Sequence, residues 1–442
     1  MKQMKIHNRF IQNTSWILAG QIVRLAISFL VSILTARYLG PSNNGIINYV
    51  NSYIAFFSSV VGLGLNGVII HEFVNHRDEE GKILGTAIAL RLFFGVVSAF
   101  AFIGCVYYLD GNDQAIMTVA FLQGIQLPFL CLDTINYWYQ SNMQSKYSVI
   151  AQTTAYIFMV LYKAFLLIVG KDVLWFAAAN TLDVVILSGL YFLFYSKHKT
   201  QRLGFSKDIA KRLLMSGLPF ILANLMVVVY GQIDKIMIKQ LMDSTEQVGL
   251  YSTALAICSM IGFIPVAFLD SARPLIAEAK NQSEELYRLR FRQLVAGIMW
   301  LCFAYSLFVT LFSNLILRLL YGEAYMGANI CLKIAVWYTA FSYLGSARSY
   351  WLICENKKKY VFVFSALGAG CNVIMNFIFI PSWGINGAAL ATLVTQVLAN
   401  FIIPILIPDT REYGKAVINA VFLKNIQLRS FLALISNKLR RN

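Results

Sequence analysis

The chain is expected to be an all-α integral membrane protein of about 12 transmembrane helices, and three observations carry that expectation. Apolar residues make up 58% of its 442 residues and charged residues only 13%, where a soluble globular domain carries about a quarter charged residues. The apolar residues gather into runs of about 18 or more, the length a helix needs to cross a bilayer. Lysine and arginine are dense in alternate loops between those runs and nearly absent from the others.

Taken in order, the spans fall at roughly 15–38, 46–70, 83–109, 114–138, 148–169, 173–195, 214–241, 247–269, 293–317, 326–352, 360–380 and 385–407. Loop cations report orientation, because Lys and Arg stay on the cytoplasmic side while Asp and Glu contribute little. The N-terminal segment, alternate loops and the C-terminal tail together hold 27 Lys and Arg, whereas the opposite loops hold only Arg37, Lys171, Lys239 and Arg318. Both termini are therefore expected in the cytoplasm, with an even number of spans.

The first apolar run follows Lys2, Lys5 and Arg9, but it is long, contains Arg24 and lacks a small-residue cleavage pattern, so it reads as a retained helix. The formal charge of +16 follows the membrane rule rather than forming one basic patch, which argues against a nucleic-acid partner. All seven cysteines lie in or beside apolar runs without C-x-x-C spacing, so neither a disulfide framework nor a metal site is expected. His7, His71, His76 and His198 fall at cytoplasmic helix ends and read as surface residues. After Pro408, Val417, Ile418, Val421, Phe422 and Ile426 interleave with Lys424 and Arg429. That pattern fits either a helix lying on anionic lipid or a loosely ordered tail.

The charged cytoplasmic loop near residue 200 divides the spans six and six. The expected organisation is a lobe at 1–200, a linker at 201–213, a second lobe at 214–407 and a basic cytoplasmic tail at 408–442. Residues 36–49 (A-R-Y-L-G-P-S-N-N-G-I-I-N-Y) and 239–252 (K-Q-L-M-D-S-T-E-Q-V-G-L-Y-S) follow the first and seventh spans. Each has a cation, a polar turn, a glycine (Gly45, Gly249), an apolar residue and a tyrosine. Such weak duplication is the mark of transporters built from repeated halves.

The segments A-R-Y-L-G-P-S-N-N-G (36–45), Q-I-D-K-I-M-I (232–238), V-G-L-Y-S-T-A (248–254) and G-I-N-G-A-A-L-A-T (384–392) resemble those of the Wzx-type polysaccharide exporters, the O-antigen flippase family. That family lies in the superfamily that also holds the MATE drug exporters and the lipid II flippases, and the resemblance spans about residues 10–407. It implies a MATE-like fold of two six-helix lobes in the bacterial inner membrane. It also implies alternating access that turns an undecaprenyl-diphosphate-linked oligosaccharide from the cytoplasmic to the outer leaflet. Polysaccharide polymerase and chain-length machinery are the protein partners it implies.

Ionisable groups within spans cost several kcal/mol against lipid and so face protein or water. Arg24 heads a polar stripe with Ser28, Ser32 and Thr35 at helical spacing, which suggests a wet face. Arg91, Lys163, Lys235 and Lys333 add cations, with Trp337 and Tyr338 one turn beyond Lys333. Arg and Lys suit a diphosphate, and Trp and Tyr suit sugar rings, so these seven residues are the candidate substrate-contacting set. Lys163 and Lys333 could instead bridge to Asp133 or Asp183, and Asp234 with Lys235 could be a packing pair. Asp133, Asp183 and Asp234 are the candidates for coupling to a proton or sodium gradient; no cofactor is otherwise expected. Arg348 and Asp270 lie near cytoplasmic helix ends and read as exposed. A MATE-type drug antiporter is the alternative, disfavoured by the excess of in-span cations. Membrane enzymes acting on the same glycolipids are disfavoured by the short outer loops and by the lack of a catalytic constellation.

Overall fold

The computed structural model describes the backbone of residues 2–198 and 201–422, and the side chains of 27–198, 201–222 and 224–422. Among these residues the regular structure is helical throughout, and nine stretches are long and apolar enough to cross a membrane. Two of the nine, Ile27–Asn75 and Lys359–Leu406, would each run to about 70 Å as one straight helix, more than twice the hydrocarbon thickness. Both are interrupted, at Gly40 (φ 74°) and Gly384 (φ 57°). Beyond the second break Gly387 packs against the carbonyl of Phe379, so the chain there folds back on itself.

By packing, the chain forms two compact units, one of Tyr38–Gly249 and one of Met1–Arg37 with Leu250–Asn442. The core of the first gathers Leu63, Ile83, Trp138, Tyr139, Tyr191 and Leu213. The core of the second gathers Phe291, Met299, Leu344, Trp351, Phe364 and Tyr413. The outward faces are apolar too: Phe100, Tyr108, Ile168, Leu311 and Phe377 are all well exposed. This is what a lipid solvent permits, since apolar side chains gain little by leaving it and helices associate through close packing and polar contacts instead.

The seventh helix, Lys207–Met242, packs within the unit Tyr38–Gly249. The linker before it is docked rather than loose: Gly204 donates its N–H to the Gly81 carbonyl at 3.2 Å, and the Ser206 N–H reaches Thr86 Oγ1 at 3.0 Å. At the far end of the same helix, Gly45 and Gly249 bring two backbones into contact. A Cβ at Gly45 would lie 1.7 Å from the Thr245 carbonyl oxygen, and one at Gly249 would lie 1.9 Å from that of Pro41. The glycines that the sequence comparison aligned are thus the two faces of one close contact.

Several spans stop and restart. The second is broken where Leu63 (φ 51°) and Gly64 (φ 60°) separate the helix ending at Val61 from Leu65–Asn75. The fourth passes from Gln114–Gly124 through a short turn containing Pro128 and a 3-10 segment, Leu130–Asp133, to Thr134–Ser141. In the other unit, Met260–Gly262 interrupts Thr245–Gln282, and Val336 and Trp337 separate Asn329–Ala335 from Tyr338–Cys354. Spans two and eight, and four and ten, are therefore interrupted at comparable places.

Two expectations are corrected. Arg348 is buried, donating to the Ala399 carbonyl with its guanidinium 4.6 Å from the Phe364 ring, because a short π-helix at Leu398–Ile402 leaves that carbonyl free to accept. The C-terminal segment forms a helix at Arg411–Val421 that buries Tyr413, Val417 and Ala420 against the protein core containing Phe291 and Trp351. The segment is therefore ordered there rather than loose, with Val417 turned to protein while Ile418 and Phe422 stay exposed; Lys424, Ile426 and Arg429 lie outside the described residues.

The glycine contact yields a direct expectation. Gly249→Ala should destabilise the purified protein by about 1–3 kcal/mol through overpacking, read as a lowered Tm in detergent. Gly67→Ala, at a site with nothing within 4 Å of the added methyl, should not lower it. Equal melting of the two variants would contradict the close contact.

Candidate functional site

The breaks in spans two and four meet the third and seventh helices around a recess of about 380 Å³ within the unit Tyr38–Gly249. It is lined by Ser58, Ser59, Gly62 and Asn66 of span two, Arg91 of the third helix, Asp133 and Tyr137 of span four, and Asn224 of the seventh. Arg91 is its centre: 4% exposed, it makes no ion pair within 4 Å among the described residues. Nη1 donates to Thr134 Oγ1 at 3.1 Å, and Nη2 donates to the Gly62 carbonyl at 3.2 Å and to Asn66 Oδ1 at 3.3 Å. The Tyr137 ring lies 5.7 Å from the guanidinium carbon. The buried Nε has no acceptor. Asp133, half-buried in the same recess, acts on Arg91 through space without closing to an ion pair.

A guanidinium buried among neutral acceptors keeps most of its capacity for an anion, since hydrogen bonds to charged oxygens are about twice as strong as neutral ones. The hydroxyls and amides around it can take up a polar, uncharged partner. The recess thus offers one strong anion contact amid several weaker hydrogen-bonding groups.

The other expected residues are placed as follows. Lys163 is half-buried on the fifth helix and interacts electrostatically with Asp183 on the sixth; neither lines the recess. Asp234 is buried on the seventh helix, and Lys235 beside it donates to Gln232 Oε1 at 3.0 Å, which also accepts from Ser52 Oγ at 3.4 Å. In the other unit Lys333 is half-buried just before the break in span ten, Trp337 lies in the break with its ring 6.0 Å from that of Phe303, and Tyr338 follows it. The side chain of Arg24 lies outside the described residues; of its stripe, Ser28 and Ser32 are exposed and Thr35 is half-buried. Arg91 and Asp133 are therefore the members of the expected set that share the recess.

Two polar clusters escaped the sequence reading. In the unit Tyr38–Gly249, buried Asp110 accepts from Tyr49 Oη at 2.5 Å, and Tyr49 in turn bonds Tyr53 at 2.9 Å and Gln240 at 2.7 Å. Lys239 completes the cluster 3.6 Å from Asp110 and 2.5 Å from Asp243. Lys239 was counted as a loop cation, and the signal that could have retrieved it is the i, i+4 spacing of Lys239 with Asp243 and of Tyr49 with Tyr53. In the other unit, Asn376 donates to Asn372 Oδ1 at 3.1 Å, Asn372 reaches Thr392, and Asn400 donates to Gln396 Oε1 at 2.6 Å. Here too, amides four residues apart inside apolar runs were the available sign.

Nine apolar stretches of crossing length among the described residues, several of them interrupted, define a multi-pass helical membrane protein. The lipid II flippase MurJ, in an inward closed conformation, superposes with a TM-score of 0.72 at 13% identity, covering 95% of this chain and 96% of its own. An inward-facing multidrug resistance MATE family transporter of the MOP superfamily gives 0.68 at 16% identity, covering 91% and 96%. At such identities these likenesses establish the fold, which is MATE-like. Residues 10–280 match the family described as polysaccharide biosynthesis protein, to which the chain belongs, and residues 219–378 match the MatE family. The capsular polysaccharide biosynthesis protein CapF of Staphylococcus aureus is 22% identical over 403 residues, covering 88% of this chain and 97% of its own length.

The Asp110 cluster gives the second expectation. Asp110→Ala removes the buried acceptor of Tyr49 and one of the two carboxylates beside Lys239, and should cost about 1–3 kcal/mol, seen as a fall in Tm. Asp110→Asn keeps an acceptor for Tyr49 and should fall less. A neutral Ala variant would contradict the burial of this pair.

Proposed function

We propose that this protein is a flippase that carries an undecaprenyl-diphosphate-linked oligosaccharide, an O-antigen or similar surface-polysaccharide repeat unit, from the cytoplasmic to the outer leaflet of the bacterial inner membrane. The chain crosses the membrane twelve times with both termini in the cytoplasm. Its working lobes are the first and second six-helix halves, which alternate in access, coupled to a proton or sodium gradient.

The observation that carries this reading is Arg91, a buried guanidinium hydrogen-bonded to neutral acceptors and, among the described residues, without an ion pair, in a recess of hydroxyls, amides and the Asp133 carboxylate, in a chain of the polysaccharide biosynthesis protein family. A diphosphate matches the guanidinium and a glycan matches the neutral groups. The drug-antiporter alternative draws on the match to the MatE family and on Asp133 in the same recess, which would suit a cationic substrate. Against it stands the position of Arg91, which would repel such a substrate from that carboxylate.

Cells carrying Arg91→Ala should lose surface polysaccharide by tenfold or more, about 1.4 kcal/mol of substrate stabilisation, while holding normal amounts of protein in the membrane. Arg24→Ala should behave alike, with Arg24→Lys restoring part of the export. Resistance to cationic dyes that depends on this protein, with surface glycan unaffected by its loss, would overturn the flippase reading in favour of the antiporter.

A further inference from the structure

We infer that Arg91 is a ligand-released latch: it holds the broken turn of span two closed until a diphosphate draws it away, and the release is passed to the seventh helix. The inference rests on the flippase reading for the identity of the anion, but the geometry of the latch stands by itself.

The turn is short and strained toward the left-handed region at two consecutive residues, Leu63 and Gly64. It is closed by tight backbone bonds, Leu63 N–H to the Val60 carbonyl at 3.0 Å and Leu65 N–H to the Gly62 carbonyl at 3.1 Å. Arg91 adds a second donor to that Gly62 carbonyl and a further one to Asn66, one turn beyond, so a single guanidinium clamps both sides of the break. Its other arm holds Thr134, whose hydroxyl donates onward to the Cys131 carbonyl at 2.7 Å within the interruption of span four. The same side chain therefore ties together the irregular segments of two spans.

The turn is also wedged against the seventh helix. A Cβ at Gly64 would lie 2.6 Å from the Gly217 carbonyl oxygen and 2.7 Å from Phe220 Cβ, and one at Gly217 would lie 2.3 Å from the Leu63 carbonyl oxygen. With backbones this close, the turn cannot change shape without displacing the helix beside it. The hydrogen bonds of Arg91 all go to neutral acceptors, which a diphosphate oxygen outcompetes. Binding energy is thereby spent on opening a bistable element, which is the physical requirement for coupling occupancy to conformation.

The test uses the full-length protein in lipid nanodiscs, with geranylgeranyl diphosphate as the probe and geranylgeraniol as the uncharged control. Probe binding is measured by calorimetry, and amide hydrogen exchange is followed in peptides covering residues 58–70, since exchange reports local opening. The diphosphate is expected to bind the wild type and to raise exchange in this segment by about fivefold or more, while geranylgeraniol leaves it unchanged. Arg91→Gln should exchange fast without the probe and should not respond to it. Should that variant fail to fold, Arg91→Lys carries the test: one ammonium cannot hold Gly62, Asn66 and Thr134 together, so resting exchange should rise and probe affinity should fall about tenfold. Binding without a rise in exchange would overturn the latch and leave the flippase reading standing. Equal diphosphate binding by wild type and Arg91→Gln, or none by the wild type, would overturn the placing of the anion at Arg91. Failure of the flippase reading itself would show separately, as dye resistance without a glycan defect.

Discussion

A helix that stops and restarts inside a membrane exposes backbone polar groups where no water can satisfy them, and each unsatisfied group costs several kcal/mol. In this protein the second span breaks beside Gly64, and the guanidinium of Arg91 is what bonds the turn on both sides of the break. That contact explains why a full positive charge can be held with 4% exposure and no carboxylate within ion-pair distance: it is stabilised by carbonyl, amide and hydroxyl oxygens that themselves need a donor. It also explains the recess, since a broken helix cannot pack as tightly as a continuous one, and the space left over is lined by Ser58, Ser59 and Asn66. Charge, break and cavity are one arrangement.

The same logic distributes the remaining buried charges. Lys239 and Asp110 neutralise each other within a cluster of hydroxyls and an amide, and Glu72, buried near a helix end, is met by Arg212 at 2.9 Å. These are paired sites and hold structure together. Arg91 differs from them in donating its hydrogen bonds to neutral acceptors at the edge of a recess, with Asp133 acting on it only through space.

Much of the fold was legible because the bilayer imposes it. Span length, the apolar runs and the alternation of loop cations are all consequences of one solvent, and each is written in single residues that can be counted. The interruptions were less legible: Pro128 sits in the break of span four, but Leu63 is an ordinary apolar residue that takes a left-handed backbone (φ 51°), and Val336, at the break of span ten, keeps helical angles. The in-span charges Arg91, Lys163, Lys235 and Lys333 stood out as expensive residues, yet the partners of Arg91 did not, because Thr134 and Asn66 lie 43 and 25 residues away in the sequence. Arg348 was misjudged for the same reason. Its burial depends on the free carbonyl of Ala399 in a π-helical turn, 51 residues away, which no local pattern announces.

Transport of a diphosphate-linked glycolipid is the claim on which the functional reading turns, and translocation in purified proteoliposomes measures it most directly. With a fluorescent undecaprenyl-diphosphate-linked oligosaccharide placed in one leaflet, vesicles containing this protein should expose the label to an outer-leaflet quencher much faster than empty vesicles. Vesicles containing Arg91→Ala should resemble empty ones. Equal rates with and without the protein, under both imposed proton and imposed sodium gradients, would contradict it.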